Sequence, residues 1–162
     1  ADLATFSKAM SNGFCISAIT GRSDVMRCVG KTHMVSTFYA NAGEMAAALA
    51  TIAVLRETDA LRRVWELGEM FQTGLRSLIA ASGVSARVIG YPPAPFLAFT
   101  AANPEDRAAA QTAFYSETTR QGVLFHPNHH WFVSAAHTAD DIARTLEVCR
   151  TAFGAVPAET RA

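Results

Sequence analysis

Residues 59–81 limit the fold more than any other stretch. Leu61, Val64, Gly68, Phe71, Leu75 and Leu78 recur at alternating spacings of three and four. On a 3.6-residue period those positions form one apolar stripe, so a long helix must bury one face against something else. Ser82-Gly83 ends the pattern. Beyond it the text changes to short strands and capped helices. Residues 87–91 and 96–100 read as strands around a Pro92-Pro93 turn. Asn103-Pro104 supplies an N-cap followed by proline at the first helical position, and that helix runs to about Arg120. Residues 122–125 and 131–134 read as two further strands. Thr138 with Asp141 caps a last helix, whose Ile142, Leu146, Cys149 and Phe153 lie at spacings of four, three and four.

Upstream, residues 2–7 and 15–20 read as strands around a turn, with Thr5, Phe6, Ile16, Ile19 and Thr20 giving β-branched or aromatic character. Residues 23–29 predict a short helix with Ser23 as N-cap. Asn41 opens a stronger, alanine-rich helix to Leu55, and Glu44 three residues on predicts a capping box. The expected organisation is the closing part of a larger α/β domain over 1–58. A connecting helix follows over 59–82, then a small α+β domain over 83–155 and a tail over 156–162. The chain enters a strand directly, with alanine as its first residue. It therefore reads as the C-terminal part of a longer polypeptide.

Half of the 162 residues are apolar, enough for a substantial core. Lys plus Arg equals Asp plus Glu at 14 each, so net charge gives no reason to bind nucleic acid or an anionic membrane. No apolar run reaches the roughly 18 residues of a membrane-spanning helix, and no signal peptide is visible. Cys15, Cys28 and Cys149 are odd in number, widely spaced and set in apolar stretches. Buried free thiols in a reducing cytoplasm are the expectation.

Lys8 is the residue with the clearest chemistry. It closes the strand-like run Leu3-Ala4-Thr5-Phe6-Ser7 and precedes a small, glycine-containing turn. A lysine among apolar neighbours loses its proton more easily and becomes a nucleophile. The string Asp2-Leu3-x-x-Phe6-x-Lys8-Ala9-x-x-Asn12-Gly13-x-x-Ile16-x-Ala18, with Gly21-Arg22 behind it, is similar to the cofactor-lysine segment of class III (ω-type) aminotransferases. These are enzymes of the pyridoxal phosphate (PLP) fold-type I class. The resemblance implies that Lys8 forms a Schiff base with PLP and, once the substrate amine displaces it, serves as general acid and base. Arginine is too basic for that role, and alanine has no amine.

Ser36-Thr37-Phe38-Tyr39-Ala40-Asn41-Ala42 resembles the family's Gly-Thr-x-x-Gly-Asn-Pro segment, departing at Ser36, Ala40 and Ala42. The resemblance implies that the Thr37 hydroxyl, with Ser36 as a weaker candidate, binds the phosphate of PLP held by the neighbouring subunit of a dimer. Hydroxyl and N–H groups just before a helix N-terminus suit an anion.

His126, His129, His130 and His137 raise a metal reading, since imidazole is a common zinc ligand. Their spacing matches no familiar ligand pattern, and no cysteine lies close in sequence. Gly122-Val123-Leu124-Phe125-His126-Pro127 and Ser134-Ala135-Ala136-His137-Thr138 resemble the small domain of glutamate-1-semialdehyde aminomutase-like proteins. There His137 supports a helix start and His126 a turn. His129 and His130 face the substrate entrance or are ordinary loop polarity, and no metal ligand is assigned.

The fold implied is α/β, PLP fold-type I (aspartate aminotransferase-like): the end of the large domain plus the C-terminal α+β small domain. The activity implied is PLP-dependent transfer of an amino group from a small amino donor to a keto or aldehyde acceptor. It would occur in a cytoplasmic homodimer with active sites at the subunit interface. A glutamate-1-semialdehyde-type aminomutase is the near alternative. A non-catalytic PLP-fold scaffold is the alternative from another class, and a histidine metal module is a third. The acidic partner of the pyridinium nitrogen and the ring-stacking aromatic lie upstream of the lysine in the family, so this stretch alone carries an incomplete pocket.

Overall fold

The computed structural model describes residues 1–33, 37, 39 and 41–158. They fall into two compact units, 1–59 and 60–162.

In the first unit β1 (Leu3–Phe6) pairs antiparallel with β2 (Ala18–Gly21), in the register Leu3 to Gly21 and Phe6 to Ala18. Both strands are shorter than the alternation predicts, and β2 starts three residues later. The 3-10 turn Lys8–Ser11 follows β1. α1 spans only Ser23–Met26. Its N-cap is Arg22, with no side-chain capping bond, so Ser23 lies inside the helix and is not its cap. α2 (Ala42–Glu57) is capped as expected by the Asn41 side chain, which accepts from the Gly43 N–H at 3.2 Å. The reciprocal half of the box is not seen. Glu44 Oε2 is buried with no hydrogen-bond partner among the described residues. α2 packs against the Lys8–Ser11 turn, where Ala48 and Ser11 are the buried residues of the two elements. Small side chains allow that close approach.

The second unit holds the hydrophobic core. α3 (Ala60–Ser82) buries Leu67, Gly68, Phe71, Gln72 and Leu75, while Leu61, at the start of the stripe, is 54% exposed. β3 (Ala86–Tyr91) and β4 (Ala94–Phe99) form a hairpin that turns on Pro92-Pro93. α4 (Pro104–Arg120) starts with the Asn103 side chain accepting from Glu105 N–H at 3.0 Å, and α5 (Ala139–Ala155) completes the unit. Alternate residues Pro95, Leu97 and Phe99 of β4 are buried, as one covered sheet face requires. Phe114 of α4 and Phe153 of α5 meet at 4.7 Å between ring centroids. Burial raises the Tyr115 phenol and pushes the Cys149 thiol up to about 12, so both stay neutral within this core.

Residues 122–125 and 131–134 do not form strands. The second segment does approach the hairpin. Trp131 N–H donates to the Pro95 carbonyl at 2.8 Å, and Val133 N–H donates to the Pro93 carbonyl at 2.9 Å. In an antiparallel ladder each such pair exchanges two bonds. Both return donors here belong to prolines, which have no N–H. Each rung is half-made, and the ladder stops there. No helix among the described residues is long and apolar enough to cross a membrane.

Two consequences are measurable. A Cβ on Gly68 would fall inside contact distance of the Pro92 carbonyl, which is backbone and cannot swing aside. Gly68→Ala should therefore cost up to about 3 kcal/mol in urea unfolding. At Gly74 the three atoms nearest an added Cβ all belong to the flexible side chain of Leu146. There the helix-propensity gain of about 1 kcal/mol offsets the repacking, and Gly74→Ala should be near neutral.

The capping box of α5 is complete. The Thr138 hydroxyl accepts from Asp141 N–H at 3.2 Å, and Asp141 Oδ2 accepts from Thr138 N–H at 2.8 Å. Bonds from the Thr138 side chain and backbone hold the Asp141 carboxyl below its ordinary value of 3.8. A lowered folded value adds stability that is full above 3.8 and is lost as pH falls from there through the lowered folded value. The stability gap between wild type and Asp141→Asn should accordingly be present at neutral pH and close in acid.

Candidate active site

Lys8 is the first residue of the turn after β1, and its backbone is left-handed, with φ +55°. A non-glycine residue there crowds its Cβ against the following carbonyl, at a cost of about 1–2 kcal/mol. Local bonding holds the conformation. Met10 N–H returns to the Ser7 carbonyl at 3.2 Å, and the Ser7 hydroxyl donates to the Ile16 carbonyl at 2.8 Å, tying the loop's ends together. The chain turns back through Asn12 (φ +50°) and Gly13 (φ +110°), residue types that tolerate that region. Ser11, almost fully buried, donates from its hydroxyl to the Phe14 carbonyl.

This loop frames an open recess of about 640 Å³, lined by Lys8 with Ser7, Asn12, Cys15 and their neighbours. Lys8 is exposed, and among the described residues no hydrogen bond or ion pair engages its amine. The cations nearby in sequence behave differently: Arg22 is held by Asp2 at 3.0 Å and Asp24 at 2.7 Å. Asp2 and Asp24 are thus directed at Arg22. Cys15 is an exposed free thiol on the wall of the same recess, a position that the reading of cysteines as buried core missed. Cys28 is exposed as well, and only Cys149 is buried.

Thr37 lies in a turn and is exposed, four residues before the α2 cap. Ser36 lies outside the described residues. The histidines serve their own loop. His126 Nδ1 accepts from Asn128 N–H at 3.1 Å, and His137 Nδ1 accepts from Ser134 N–H at 3.0 Å just before the α5 cap. Among the described residues no group of His, Cys, Asp or Glu is arranged to hold a metal ion.

The pattern of the family described as aminotransferase class-III matches residues 1–149. The chain belongs to the class III aminotransferase family. This class III chain is 31% identical over 156 residues to the 3-aminobutyryl-CoA aminotransferase of Cloacimonas acidaminovorans, covering 96% of the chain and 38% of that protein. It is 33% identical to the aminopentol aminotransferase of Sphingopyxis macrogoltabida, covering 96% of the chain and 36% of the relative. It is also 32% identical to the glutamate-1-semialdehyde 2,1-aminomutase of Thermomicrobium roseum, over 96% of the chain and 39% of the relative. Among solved structures, the FumI protein of Sphingopyxis sp. MTA144, in its PLP internal aldimine form, superposes with a TM-score of 0.88 at 32% identity. That match covers 96% of this chain and 37% of that one. The class III chain thus has the α/β fold of the PLP-dependent transaminases, fold-type I, and spans under two-fifths of the length of these relatives.

Proposed function

We propose that the protein transfers an amino group from an amino donor to a keto or aldehyde acceptor, using PLP attached through Lys8. The reading rests on one observation: an amine with no partner among the described residues, at the edge of an open recess, on a backbone conformation that costs energy to hold. The residues present fit the cofactor. A condensing amine must be unpaired and must have room beside it, and Lys8 has both. When bound, PLP supplies an aldehyde for an amine to condense with and an electron sink beside the reacting carbon. The chain's own residues do the rest. Lys8 Nζ would hold the cofactor and, once displaced by the substrate amine, would serve as the base for the proton on the carbon bearing that amine. The turn Lys8–Ser11 would fix where the Lys8 side chain leaves the backbone.

Thr37 is proposed to donate its hydroxyl to the cofactor phosphate of the neighbouring subunit of a homodimer, just ahead of the positive end of α2. A hydrogen bond to a charged group contributes about 1.5–3 kcal/mol, so Thr37→Ala should weaken PLP binding by roughly 10- to 100-fold in equilibrium dialysis. Free thiols throughout suit a cytoplasmic location.

The reading is tested on the full-length protein. It should be coloured, borohydride should bleach it, and the pyridoxyl group should be recovered on the peptide that carries Lys8. A colourless protein that takes up no PLP sinks the reading. The aminomutase reading is favoured by the aminomutases among the similar proteins. It predicts isomerisation of a single amino-aldehyde supplied without any co-substrate, whereas a transaminase stalls after half a turnover.

A further inference from the structure

The second unit contains a cavity of about 500 Å³ between α3, the 122–137 segment and α5. We propose that it binds a small carboxylate with a flat apolar body, such as an aromatic acid. Volume and lining are those of a small-molecule site. Phe71, Phe125 and Trp131 supply aromatic surface, with Phe125 and Trp131 stacked at 3.9 Å between centroids and 22° between planes.

The polar groups of the lining decide the ligand's charge. His126 and His137 both line the cavity, and each uses Nδ1 to accept a backbone N–H, from Asn128 and Ser134 respectively. An imidazole whose Nδ1 accepts carries its proton on Nε2 when neutral. Each ring therefore has one donor left, the Nε2–H, for which no partner is recorded among the described residues. Two such donors suit a carboxylate's two oxygens. The same tautomers argue against a metal, because Nε2 has no lone pair to give. His129 and His130 also line the cavity, and Nδ1 of His129 approaches the His130 carbonyl at 2.8 Å, so it carries the proton there.

Asp141 is the acid in the lining, and its carboxylate is committed to the Thr138 cap through two bonds of 2.8 Å. Arg63 of α3 donates to the His137 carbonyl at 3.0 Å, adding a cation beside one of the two proposed donors. The site is built from the second unit alone and does not depend on the Lys8 reading.

The test uses the full-length protein with phenylacetate as probe and phenylacetamide, its neutral analogue, as control, measured by calorimetry. Asparagine places an acceptor where Nδ1 stood and removes Nε2, so His126→Asn/His137→Asn keeps the turns and deletes the donors. Phenylacetate should bind wild type and Lys8→Ala alike. Phenylacetamide should bind wild type at least about tenfold more weakly, and the double variant should lose at least about tenfold in phenylacetate affinity with an unchanged melting curve. Equal binding of the amide, loss of binding in Lys8→Ala, an unaffected double variant or no binding at all overturns the proposal. So does zinc retained through dialysis. Should the double variant fail to fold, the acid-against-amide comparison in wild type decides alone.

Discussion

Replacing Lys8 with alanine should lower turnover by at least about 10⁴-fold, the upper end of what a positioned general acid–base contributes, and abolish the reducible chromophore. One side chain is proposed to fill both roles, anchor and proton carrier, so no partial function survives its truncation. Lys8→Arg does not rescue it. A guanidinium stays protonated through the working pH range and cannot condense with an aldehyde. The backbone adds a second, independent readout. With φ at +55°, alanine keeps the strain that lysine bears, whereas glycine has no Cβ to crowd the carbonyl. Lys8→Gly should be as inactive as Lys8→Ala but more stable than it by about 1 kcal/mol in thermal or urea unfolding. Two variants of equal stability would show that the left-handed turn stores no strain.

Phe114→Ala should destabilise the second unit by about 3–5 kcal/mol, read as a fall in urea midpoint at constant slope. Phe114 has no exposed surface. Its ring meets Phe99 of β4 at 5.8 Å, Tyr115 at 5.3 Å, Phe125 at 6.5 Å and Phe153 of α5 at 4.7 Å. It is the point where hairpin, both helices and the 122–137 segment converge, so no single neighbour can relax into the space left behind. Phe132 is the control. It is 64% exposed, and Phe132→Ala should stay within about 0.5 kcal/mol.

Local rules read well from the text wherever one residue settles the matter with its own neighbours. Asn41, Asn103 and Thr138 cap the helices expected of them, because a capping bond spans only two or three residues. Ser23 fails as a cap because Arg22 occupies that position, and the cap residue's side chain is a guanidinium, which accepts no bond. The expected strand at 131–134 fails for a reason held elsewhere in the chain. Its residues have strand character, but the partner edge offers Pro93 and Pro95. Glu44 fits the capping-box spacing and lacks the reciprocal bond.

The sequence by itself determined the family, the long amphipathic helix and most helix boundaries. Each of these is written in contiguous residues or in a short period. Only the tertiary structure decided that Lys8 has a left-handed backbone, that Cys15 shares its recess, and that Gly68 is needed where a proline carbonyl crosses α3. It alone showed that His126 and His137, eleven residues apart, line one cavity. Those features depend on which backbone atom of a distant segment arrives at a given side chain. No local pattern encodes that arrival, because it is set by how the helices and the hairpin pack.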